Sequence, residues 1–133
     1  MEPVNLPFAW CWFVLGGVTG AVQGLRFHRE EHQGGYGSWR RRLMRLGHIA
    51  FFGTGLLNLG YALTVLSAPV AAGWARAASP LLIVGAVTMS LVCYLSAWRV
   101  GWRRLFFVPV LTLTGGVVCT AVSVVLAGLR GGA

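Results

Sequence analysis

The stretch LFFVPVLTLTGGVVCTAVSVVL, residues 105–126, contains no charged side chain. As an α-helix rising 1.5 Å per residue, about 20 such residues cross a hydrocarbon core of roughly 30 Å. Three more runs of the same kind lie upstream, at 6–25, 47–70 and 80–98. A β-barrel strand alternates apolar and polar side chains over about 10 residues, whereas these runs are continuous. The expected fold is therefore all-α: an integral membrane four-helix transmembrane bundle, forming a single domain over 1–133.

Composition agrees. Of the 133 residues 56% are hydrophobic and only 11% charged, against about 45–50% and about 25% in soluble domains. The longest stretch between runs, 26–46, is too short for a soluble domain. A net charge of +8 would fit a nucleic-acid binder in another context. Here the basic residues are all Arg and alternate with apolar runs, which reads as membrane topology and excludes nucleic acid as a partner.

Arginine placement orients the chain. The first connection carries Arg26, Arg29, Arg40, Arg41, Arg42 and Arg45, and the third carries Arg99, Arg103 and Arg104. Only Arg76 lies in the second connection, and Arg130 lies near the C-terminus. By the positive-inside bias the first and third connections are expected in the cytoplasm and both termini outside, in a bacterial inner membrane. Trp10, Trp12 and Trp74 would mark the outer interface, with Trp39, Trp98 and Trp102 at the inner one. The opening Met1-Glu2-Pro3-Val4-Asn5 has an acid and no base, so it reads as leading into a retained span, not as a secretory signal.

The acids are as informative as the bases. There is no Asp, and Glu2, Glu30 and Glu31 all fall outside the runs. Proton and ion pathways rely on intramembrane ionisable groups, so an autonomous pump is disfavoured. Phosphate loops, Ser-His-Asp sets and CxxC pairs are absent. Cys11, Cys93 and Cys119 fall singly within spans, where Cys serves as a small packing residue.

Glycine spacing predicts close helix contacts. Gly16, Gly20 and Gly24 recur every fourth residue in the first span, and Gly55 lies in the second, giving small faces for another helix. Asn58 shares a face with Thr54 and Tyr61, and an amide at this depth needs a partner in another helix or a ligand.

His28, His32 and His48 cluster where the first span ends and the second begins, and three readings compete. They are interfacial groups bonded to loop backbone or lipid. Alternatively His28 and His48 ligate a b-type haem, with Gly20, Gly24 and Gly55 leaving room and Arg26 or Arg45 pairing the propionates. In the third reading His28, His32 and His48 hold a divalent metal. The segment 28–32 matches H-x-x-E-H, but the distal acid and cleft of a metalloprotease are missing. Gly34, Gly35 and Gly37 then interrupt the helix, and Ser38 is placed to cap a new one that carries Arg40, Arg41, Arg42 and Arg45 to anionic lipid headgroups.

Four spans with His near one face resemble, in layout alone, the small membrane subunits of respiratory complexes, including b-type cytochrome anchors. That likeness transfers no site residue. The expected function is an accessory or anchor subunit of a larger membrane complex, in an electron-transfer setting and not catalytic on its own. A haem- or metal-binding electron-transfer subunit is the alternative, and a small transporter or channel the third.

Overall fold

A computed structural model describes residues 3–131. It is helical throughout, with no strand among the described residues. The four helices are α1 (Asn5–Phe27), α2 (Trp39–Ser67), α3 (Ala72–Trp98) and α4 (Phe107–Gly131). All four are long and apolar enough to cross a membrane, the make-up of an integral membrane protein.

The helices pack serially. α1 lies on α2, α2 on α3 and α3 on α4, while α1 touches α3 only slightly and packs on no other helix to any comparable extent. Each pair is antiparallel, as contacts running from Gly20 and His48 to Asn5 and Asn58 show for the first two. The expected bundle is thus an open succession and not a closed square. The core reflects this, centring on Tyr61, Ala78 and Leu82 where α2 meets α3, with Cys119 of α4 against them.

Glycines set the spacing. A Cβ on Gly16 would lie 2.9 Å from the Cβ of Phe51, and one on Gly55 would run into the ring of Phe13. On the other side Gly85 receives Leu113, and Gly116 receives Leu82. Contacts this close are what joins helices in lipid, where no hydrophobic drive exists between them. Gly24 differs, since a Cβ there would meet nothing within 4 Å. The stripe expected at Gly16, Gly20 and Gly24 thus ends one turn early, at Gly20.

One helix start meets expectation and one departs from it. α2 begins at Trp39, as the Ser38 cap implies, and the arginine run forms the first turns of the spanning helix. Ser38 caps it, its hydroxyl accepting from the Arg41 amide at 3.2 Å and donating to the Gln33 carbonyl at 2.7 Å. α3 begins at Ala72, with Pro80 inside it and not at its start. Proline removes one backbone donor and distorts the preceding turn, and neighbouring helices supply donors to carbonyls along this stretch. Tyr61 Oη donates to Ala75 O at 2.6 Å, Asn5 Nδ2 to Ser79 O at 3.3 Å and Asn58 Nδ2 to Leu82 O at 3.3 Å.

The connection between α2 and α3 is clasped from the far helix. The Ala71 amide donates to Ser123 O at 3.0 Å, and the buried Ser123 hydroxyl donates to Ala71 O at 3.1 Å.

Candidate functional site

Buried polar groups form two sets, one towards each end of the helices. Near the Arg76 end, Asn5 and Asn58 are both fully buried. Asn5 Nδ2 donates to Asn58 Oδ1 at 2.7 Å, and Ser79 Oγ donates to Asn5 Oδ1 at 2.5 Å. Asn58 Nδ2 also donates to Thr54 O at 2.9 Å. Thr54 in turn accepts from the Trp12 indole N–H at 3.1 Å and donates to Ala50 O at 2.5 Å. Three helices are thereby joined with each amide matched. Trp12, expected at the outer interface, is turned inward, with its ring 4.7 Å from that of Phe51. Beside this network lies a cavity of about 690 Å³ walled by Tyr61, Val65, Ala75, Arg76 and Pro80.

The opposite end carries the arginines and histidines. Arg40 Nε donates to Ala97 O at 3.2 Å, with its guanidinium 4.9 Å over the Trp98 ring. Arg41 is buried at 4% exposed. Its Nη2 donates to Phe27 O, and the guanidinium sits 4.6 Å over the Phe27 ring and 5.4 Å over that of Tyr36. Arg45 lies 4.5 Å over the same Tyr36 ring. Arg41 therefore does not belong with Arg40, Arg42 and Arg45 as a surface contact for anionic headgroups: it binds the end of α1 to the start of α2. Deeper in, Gln23 Nε2 donates to the Tyr94 hydroxyl at 2.7 Å, linking α1 to α3.

The histidines separate. α1 ends at Phe27, so His28 is its exposed cap, and His32 lies in a 3-10 turn spanning His32–Gly34. The H-x-x-E-H segment is thus not one helix, and its two His do not share a helical face. The turn takes positive φ at Gln33, Gly34 and Gly35 (59°, 84° and 89°), a backbone that suits glycine at the latter two positions.

His48 packs on Gly20, where a Cβ would collide with its imidazole, and edge-on to Phe52 at 5.4 Å. Gly20 precedes His28 by eight residues, roughly 12 Å along the helix axis at 1.5 Å each. His28 and His48 therefore do not share one depth. His48 fills the space over Gly20 and Phe13 that over Gly55, while Gly24 is open. Among the described residues no three His, Cys, Asp or Glu come together as metal ligands, so His28, His32 and His48 are not gathered into one site.

Sequence reading missed Asn5 as the partner of Asn58, Ser79 as the partner of Asn5, and Arg41 as a buried group. An amide near the start of one span and another inside the next were the visible signal for the first. Nothing in the spacing distinguishes Arg41 from its neighbours.

Comparison with protein-family models, with curated proteins and with solved structures finds no match to this chain.

Proposed function

We infer that the protein is an accessory or anchor subunit of a larger membrane complex. The observation that carries this reading is the unequal burial of a serial fold. The inner helices bury 39% and 44% of their most apolar windows, whereas the windows of the first and last spans bury 17% and 11%. Two outer helices thus offer wide faces to lipid or to neighbouring subunits. The buried amides are spent on one another and leave no constellation suited to catalysis. In this reading the arginine-rich end lies in the cytoplasm and both termini outside, in a bacterial inner membrane. Arg42 and Arg45, with Arg40 at the rim, lie among anionic headgroups there.

Native electrophoresis of membranes solubilised from the source cell, followed by identification of comigrating polypeptides, tests this. The subunit reading expects a discrete assembly with other chains. Migration as a lone chain or a homo-oligomer would overturn it. The electron-transfer setting rests on the histidines and has its own test: a reducible haem absorption that His48→Ala abolishes would favour the haem-binding alternative, and a colourless purified protein would remove it.

A further inference from the structure

Arg41 is costly where it stands. A guanidinium taken out of water is stable only when its donors are matched. Among the described residues it donates to Phe27 O alone, and its Nε is buried with no acceptor. The Phe27 and Tyr36 rings offset part of the charge through their faces, but a ring face does not replace an in-plane acceptor. Arg45 adds a second guanidinium beside Tyr36. The complement of this pair is an anion able to accept several hydrogen bonds, and phosphate is the natural one.

The surroundings narrow the ligand further. Arg41 lines a cavity of about 520 Å³ whose other walls are Phe27, Glu30 and Tyr36. The Glu30 carboxylate opposes a bare anion and suits a group that carries a cation next to its phosphate. From Phe27 a second recess, of about 260 Å³, continues past Arg45 and Ile49 to Gly24 and Gly20. It is walled mainly by carbon, and at Gly24 it opens outward, with nothing within 4 Å of a Cβ position. A polar pocket at a span's end and an apolar groove between spanning helices thus share Phe27 as a wall.

We propose that these two recesses form one phospholipid site selective for an amine-bearing headgroup. The lipid phosphate takes the free donors of Arg41, with Arg45 beside it. The primary ammonium pairs with Glu30, and an acyl chain lies in the groove left open by Gly24. The site depends on α1 and α2 spanning the bilayer, not on which other subunits the chain meets.

The test is native mass spectrometry of the purified full chain after equilibration with equal amounts of an ethanolamine and a glycerol phospholipid of identical chains. The ethanolamine lipid should be retained several-fold over the glycerol lipid, and Glu30→Gln should abolish that preference while total lipid retained stays the same. Gly24→Leu, whose Cβ meets no protein atom within 4 Å and whose side chain would occupy the groove, should cut retention of both lipids at least about tenfold. Soluble phosphoethanolamine, lacking a chain for the groove, should not displace the lipid. Equal retention of the two lipids, a preference unchanged in Glu30→Gln, displacement by the soluble headgroup, or a polypeptide retained in place of lipid would each overturn the proposal.

Discussion

Replacing Asn58 by Ala removes the central amide of the three-helix network. Two interhelical bonds go, the one from Asn5 at 2.7 Å and the one to Leu82 O at 3.3 Å. Inside membranes such bonds average about 0.6 kcal/mol, with a maximum near 1.7, so the pair accounts for about 1.2 kcal/mol. The bond to Thr54 O lies within one helix and contributes little to assembly. Asn58 is fully buried, and truncation leaves a void of roughly 30 Å³, about the volume of one water, costing about 0.7 kcal/mol at about 24 cal/mol per Å³. Asn5 is not stranded, because Ser79 still matches both ends of its amide. The expected loss is about 2 kcal/mol, a shift of roughly 25-fold in the unfolding equilibrium at about 1.4 kcal/mol per tenfold. Reversible unfolding in mixed micelles of a mild detergent and dodecyl sulfate would measure it. Thr64→Ala is the control, since that hydroxyl bonds only Gly60 O of its own helix. A cycle with Asn5→Ala should be non-additive by roughly 0.6–1.7 kcal/mol. A loss below about 0.5 kcal/mol at Asn58, on the scale of an ordinary surface change, or strict additivity with Asn5→Ala, would refute the network.

Gly16→Ala should destabilise by about 1–3 kcal/mol, because its Cβ meets a Phe51 Cβ that cannot rotate away. Gly17→Ala, one residue on and facing open space, should be neutral or stabilising by up to about 1 kcal/mol in the same assay. Arg41→Met should free the end of α1 by removing the donor to Phe27 O; faster proteolysis within 28–37 is the readout, and an unchanged rate would contradict the pinning. In a chain with Cys11, Cys93 and Cys119 replaced, Gly37→Cys should be labelled only from the cytoplasm and Gly73→Cys only from outside, and labelling of both from one face would sink the proposed orientation.

The four spans were legible because burial in hydrocarbon demands long unbroken apolar runs, and such runs appear in sequence directly. Their ends were legible in part. Ser38 marks the start of α2 at Trp39, whereas Pro80 looks like a helix start although α3 begins at Ala72. Arg41 looks like a surface charge, since only tertiary packing carries it under Phe27 and Tyr36. The glycine contacts were partly legible: repetition marks a face at Gly16 and Gly20, but how far the neighbouring helix follows it, and hence the open position of Gly24, is set by the crossing of α1 and α2. The histidines were the least legible, because their relation depends on α1 stopping at Phe27, which no residue before His28 announces.

Serial packing also bears on how the chain assembles. Spans enter the bilayer in order from the ribosome, and here each one finds its partner in the span that preceded it. α2 meets Asn5 already in place, and α3 brings Ser79 to an amide already paired with Asn58. α4 arrives last and latches the Ala71 connection through Ser123. The cost of truncation is therefore directional: a chain lacking α4 keeps every amide of the Asn5–Asn58–Ser79 network matched, whereas a chain lacking α1 presents Asn58 and Ser79 to hydrocarbon without Asn5. Removal of the last span should leave a protein that still accumulates in membranes, and removal of the first should leave one that is degraded; comparison of their steady-state levels would decide it.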